Sequence, residues 1–107
     1  MKGRITANKF VELVSTNPAK LAGLYPQKGT IAVGSDADIL IMDAANEYTV
    51  SVNSLKGVAD FTPFEGYKVK GWPQTVISRG NVVIDNAELV AKPGTGKLVK
   101  RNKFKAF

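Results

Sequence analysis

The chain has 107 residues, 44% apolar and 22% charged, which is the composition of one globular domain and of neither a disordered nor a fibrous chain. It contains no His and no Cys, so these residues by themselves supply no His- or Cys-based zinc site, no cysteine nucleophile, no disulfide and no Ser-His-Asp triad. The net charge of +6 belongs to the last sixteen residues, where Lys92, Lys97, Lys100, Arg101, Lys103 and Lys105 stand without an acid, while nine bases meet nine acids before them.

In chain order, Thr6 reads as an N-cap, and Phe10, Val11, Leu13 and Val14 form the stripe of an amphipathic helix ending near Ser15. Asn17-Pro18-Ala19-Lys20-Leu21-Ala22-Gly23 then reads as a second, very short helix, with Asn17 capping, Pro18 in the first turn and Gly23 just past the end. Thr30 to Val33 leans to strand, Gly34 to Asp38 is turn chemistry, and Ile39-Leu40-Ile41-Met42 is a continuous apolar run of the kind buried on both sheet faces. Tyr48 to Val52 alternates and predicts another strand. Residues 53–66 predict a loop that includes a helical turn. Tyr67 to Gly71 alternates again, Thr75 to Arg79 and Val82 to Ile84 flank Gly80-Asn81 as a hairpin, and Glu88 to Ala91 adds a last short strand. Size scaling predicts burial of roughly 60–70% of the unfolded surface. Two helices and five or six short strands leave sheet edges open, which invites pairing with another segment or chain.

Five groups of residues are candidates for chemistry. Gly94-Thr95-Gly96-Lys97 resembles the end of a phosphate-binding loop, but Ala91 and Leu98 break the full pattern, and a turn in a tail explains it. Asp36, Asp38 and Asp43 have the hard oxygen donors of a cation site without its spacing, and Asp in Gly-Ser-Asp-Ala-Asp ordinarily caps a turn. Trp72, with Phe61, Phe64 and Tyr67, reads either as a ligand platform or as core and interface anchors. Ser15, Thr16 and Ser78 have no His to activate them. The basic tail has three active readings: phosphate binding, contact with an acidic membrane, or packing on a partner subunit through Leu98, Val99, Phe104 and Phe107. Against these stands the plain solvated run; the alternating apolar residues favour subunit packing. The neutral body does not predict a nucleic-acid face, and neither a membrane helix nor a signal peptide is present, so the expected location is the cytoplasm.

The run NPAKLAGLYPQKGTIAVGSDADILIMD, Asn17 to Asp43, and the run FTPFEGYKVKGWPQTVISRGNVV, Phe61 to Val83, resemble the C-terminal region of the dihydropyrimidinase and hydantoinase group of cyclic amidohydrolases. Gly71-Trp72-Pro73 leans toward hydantoinase rather than dihydroorotase. The resemblance implies a zinc enzyme with a (β/α)₈ barrel and two metals, usually held by four His, an Asp and a carboxylated Lys, that hydrolyses cyclic amides, with a small β-sandwich built from both chain ends. The family's ligands and substrate contacts lie upstream of the matching region, so no catalytic, cofactor-binding or metal-binding residue is carried over; Lys20 does not match the carboxylated Lys. The implied class is α+β, mainly β: residues 1–25 as the helical end of the barrel portion, 26–91 as the C-terminal part of the sandwich, 92–107 as a basic tail that packs on a neighbouring subunit in a tetrameric parent. Met1 directly before family-internal sequence implies a shortened chain, a split gene or a partial reading frame. The expected role is structural, without catalysis or cofactor in these 107 residues, with self-association and with the remainder of the parent enzyme as partner. The rival expectation is a non-catalytic assembly module related to the collapsin response mediator proteins.

Overall fold

The computed structural model describes residues 4–55 and 57–103. Helix α1, Ala7–Val11, starts at Thr6, whose extended backbone and side-chain oxygen, accepting from the Lys9 N–H at 3.2 Å, make it the expected N-cap. The second helix, α2, Asn17–Leu21, is not separately capped: Asn17 is helical, and a π-helical turn over Glu12–Thr16 joins α1 to α2 in one continuous path. The physical reason is Pro18. In a regular helix its ring would press on the carbonyl four residues back; the wider turn, closed by the Asn17 N–H donating to the Glu12 carbonyl, opens that space. The helix stops where expected. Gly23 takes φ +70°, the Leu24 N–H donates to the Ala19 carbonyl at 2.8 Å, and the Gly23 N–H donates to the Lys20 carbonyl at 3.0 Å, which is a Schellman ending.

The strands form one antiparallel sheet in the order β1-β2-β3-β4, with β1 Ile39–Thr49, β2 Lys68–Ser78, β3 Asn81–Asp85 and β4 Glu88–Leu89. The chain is thus α+β and mainly β. Thr30 to Val33 is loop rather than strand, with Ile31 and Val33 fully open to solvent. The apolar run Ile39 to Met42 and the first two residues of the strand expected at Tyr48 to Val52 lie on one strand, β1, while Val50 to Val52 fall outside it; the two stretches Tyr67 to Gly71 and Thr75 to Arg79 merge into β2. Bulges make this possible. Gln74 is an extra residue on β2 between the pairs Ile41 with Thr75 and Met42 with Pro73, so Pro73 sits where the ladder is already interrupted. Ala44 to Asn46 bulge from β1 opposite Gly71, which takes φ +92°. Val52–Ser54 is a helical turn that begins one residue before the loop of residues 53–66 in which one is expected, and it takes Val52 out of the expected strand.

The first hairpin turns at Arg79-Gly80, one residue earlier than Gly80-Asn81: Ser78 pairs with Asn81, and both turn residues have positive φ, as a type I′ turn requires. The second hairpin turns at Asn86-Ala87 with φ of +48° and +64°. Ala87 is the ill-suited residue there, because its Cβ crowds the carbonyl in the left-handed region. Ala87→Gly is expected to stabilise the chain by about 0.5–1 kcal/mol in urea unfolding, and a loss of stability would contradict this turn geometry.

Little is buried. Ala19 and Val50 are the buried apolar residues among those described, and the run Ile39 to Met42, expected to be covered on both faces, leaves Leu40, Ile41 and Met42 about half exposed. No helical element packs on a strand among the described residues. The accessible surface is 8803 Å² for 11.5 kDa, against ~5,800 Å² for a compact monomer of that mass. About half of the unfolded surface is buried, less than size scaling predicts. The radius of gyration, 15.7 Å against ~13 Å for a compact chain, says the same.

Candidate functional site: an ionic clamp beside uncovered apolar faces

Asp36 and Asp38 lie on the loop before β1, and neither carboxylate caps its own turn as expected; both meet a cation, Lys28. Its ammonium lies 2.9 Å from Asp36 Oδ2 and also binds Asp38 Oδ2. The two bonds hold the Lys28 ammonium above its ordinary pKa, Asp38 contributing most. The Lys28 hydrogen bond holds Asp36 below the usual carboxylate range. Burial alone would raise Asp38, yet the Lys28 ammonium and the Arg79 N–H together bring it below its ordinary value. That Arg79 N–H donates to Asp38 Oδ1 at 2.8 Å, and the Gly80 N–H donates to the Ala37 carbonyl at 3.0 Å. The loop after the helix is thereby clamped to the β2–β3 turn. Asp43 is elsewhere, on β1, accepting from the Ala45 N–H at 2.9 Å. Among the described residues no group of three or more acidic side chains is arranged to hold a metal ion.

The Gly94-Thr95-Gly96-Lys97 segment is a turn at Gly94 followed by irregular chain, and among the described residues no helix follows to complete a phosphate cradle. The Thr95 carbonyl accepts from the Arg79 guanidinium instead. From there the tail returns to the helix end: the Asn102 N–H donates to the Gly23 carbonyl at 2.8 Å, enclosing a cleft of about 310 Å³ lined by Leu21, Ala22, Arg101, Asn102 and Lys103. Leu98 is almost fully exposed and Val99 half-buried; Phe104 and Phe107 lie outside the described residues.

The aromatic residues do not form one platform. Trp72 stacks on Tyr48, ring centroids 3.8 Å apart, while Phe64 and Tyr67 meet edge to face at 6.3 Å and Phe61 is exposed. Thr16 Oγ1 donates to the Gly29 carbonyl at 2.8 Å, Ser15 lies exposed in the π turn and Ser78 ends β2. Lys28 and Tyr48 are the residues that motif reading missed. Lys28 lies in a loop eight residues before Asp36, a distance at which no local pattern operates. No helix among the described residues is long and apolar enough to cross a membrane.

The arrangement is a clamped scaffold with two uncovered apolar faces. One is the helix stripe of Phe10, Val11, Leu13 and Val14; the other is the start of β1. Residues 1–83 match the amidohydrolase family. The chain is 49% identical over 104 residues to the D-hydantoinase of Ralstonia pickettii, covering 97% of this chain and 23% of that protein. It is 51% identical over 106 residues to the D-hydantoinase of Geobacillus stearothermophilus, covering 99% of this chain and 22% of that protein. The crystal structure of dihydropyrimidinase from Brevibacillus agri NCHU1002 superposes with a TM-score of 0.94 at 48% identity, covering 98% of this chain and 23% of that one. The chain thus spans less than a quarter of the length of these relatives.

Proposed function

The chain belongs to the amidohydrolase family, and from that premise we propose that it is the C-terminal scaffold portion of a hydantoinase- or dihydropyrimidinase-like cyclic amidohydrolase, structural and assembling rather than catalytic by itself. The observation that carries this reading is the match of almost the whole chain to less than a quarter of D-hydantoinases, with a similar backbone. The uncovered surface supports it, since a chain that exposes ~3,000 Å² beyond a compact monomer is built to be covered by something. On this reading residues 1–25 end the barrel portion, 26–91 contribute to a β-sandwich whose other strands come from elsewhere in the parent, and 92–107 are an assembly tail. The protein is cytoplasmic and self-associates.

A binuclear zinc centre, implied for the parent, would polarise the amide carbonyl and activate water. The residues of this chain do not fit it: there is no His, Asp36 and Asp38 are paired with Lys28, and Asp43 caps its own turn. No catalytic step is assigned to them.

Purified alone with zinc, the chain is expected to hydrolyse neither hydantoin nor dihydrouracil above the buffer rate. Added to an R. pickettii D-hydantoinase lacking the segment that this chain matches, it is expected to restore zinc-dependent hydrolysis. Turnover by the chain alone sinks the scaffold reading, and failure to restore the shortened enzyme sinks the hydantoinase reading. A module of the collapsin-response kind shares the scaffold but not the ligands, and coding sequence upstream of Met1 that lacks a His-x-His motif would favour it.

A further inference from the structure

Arg79 is the first of the two residues that turn the β2–β3 hairpin, and its backbone is held at φ +48° ahead of Gly80 at +80°. Type I′ turns favour Asn or Asp in that place, because those side chains tolerate the left-handed backbone. An arginine there gives up turn stability, and a residue that breaks a local rule is expected to be compensated by a contact elsewhere. Two contacts converge on it. The Arg79 backbone N–H donates to Asp38 Oδ1 at 2.8 Å, and its guanidinium donates to the Thr95 carbonyl. The backbone thus fastens the loop before β1, which any residue but Pro could do, while the side chain fastens the tail, which the Asn or Asp favoured by the turn is too short to copy.

The other end of this stretch of tail is fitted as closely. The Asn102 N–H donates to the Gly23 carbonyl at 2.8 Å, and a Cβ on Gly23 would overlap the Asn102 carbonyl oxygen, which is backbone and cannot swing aside like a side-chain tip. Gly23 therefore serves both the ending of α2 and the approach of the tail. Among the described residues no helical element packs on a strand, so the helix end meets the β2–β3 turn through the clamped loop on one side and the tail on the other.

We propose that Thr95 to Asn102 is a strap that docks on its own chain, stapled to the β2–β3 turn by the Arg79 guanidinium and to the helix end at Gly23, and that Arg79 is its positioning residue. The use of the strap rests on the assembly reading above. With both ends held, Leu98, which is 95% exposed, is presented outward in a set place, and the freedom of the tail is lost before a covering surface arrives rather than on its arrival. Preorganisation of this kind is what turn stability at position 79 is given up for.

Arg79→Asn separates the two roles, because it keeps the N–H for Asp38 and gives the turn its preferred residue ahead of Gly80 while removing the guanidinium. Amide hydrogen exchange at low and high protein concentration, with urea unfolding alongside, is read on the wild type and on this variant. The Asn102 amide of the wild type is expected to be protected to the same degree at both concentrations. In Arg79→Asn it is expected to exchange about tenfold faster, while the urea midpoint stays level or rises. Unchanged protection of Asn102 in the variant overturns the staple, and a wild-type Asn102 that exchanges like an unstructured chain overturns the strap. Protection that grows with concentration means that the tail is held by a second copy, which overturns docking on its own chain and leaves the assembly reading standing. A midpoint that falls together with the protection means that Arg79 serves the turn instead, and overturns its positioning role.

Discussion

Replacing Gly29 by Ala is expected to destabilise the chain by about 3 kcal/mol, read as a fall in the urea midpoint. Gly29 has φ +83°, where a side chain costs ~1–2 kcal/mol from its own backbone. A Cβ there would also lie 2.5 Å from the Ala19 Cβ, 3.1 Å from the Ser15 carbonyl oxygen and 3.3 Å from the Thr16 Cα. None of these is the end of a flexible side chain. Ala19 is one of the few buried residues, and the Thr16 hydroxyl is bonded to the Gly29 carbonyl, so the loop cannot back away without losing both contacts. Gly34 supplies the control, with φ +89° and open space where a Cβ would go. Gly34→Ala should therefore show the backbone cost alone. Equal losses for the two variants would mean that the close approach of the loop to the helix contributes nothing.

The second large effect is expected for Lys28→Glu, which sets a third carboxylate against Asp36 and Asp38. A fall of roughly 10 °C in the thermal midpoint follows at neutral pH and low salt, and much of it should be recovered in 1 M salt, where the Debye length shrinks to ~3 Å. A deficit indifferent to salt would mean that packing, not charge, is lost. The wild-type clamp also has a defined pH window. Asp36 and Asp38 lie below their ordinary value of 3.8 in the folded chain, so their contribution is complete above that value and disappears as pH falls through the lower folded values. Lys28 lies above its ordinary value of 10.5, so its contribution is complete below 10.5 and disappears as pH rises through the folded value. Between these limits the clamp should be indifferent to pH. A stability change between pH 5 and 9 cancelled by Lys28→Met would contradict that assignment.

Legibility from sequence followed the range of the interaction. The Thr6 cap and the Gly23 ending were readable because each depends on groups within a few residues. The hairpin was readable in kind but placed one residue late, since Gly80 marks positive φ without saying which two residues form the turn. Asp36 and Asp38 read as caps of their own turn, yet their carboxylates bind Lys28, Gln27 and the Arg79 N–H instead, because those partners reach them only through the path of the chain. Asn17 was misplaced as a cap because Pro18 signals a helix start equally well when a π turn carries the helix past it.

By itself, the sequence determined the mainly-β class, the kinship with amidohydrolases, the placing of the +6 in the tail and the absence of His and Cys, all of which are properties of residue identity and order. Only the tertiary structure decided that expected short strands merge into β1 and β2, because a bulge on one strand is defined by the register of its neighbour. It also decided how little of the chain is covered. An apolar run such as Ile39 to Met42 states what gains by leaving water, but burial is a relation between two surfaces, and among the described residues the second surface is missing.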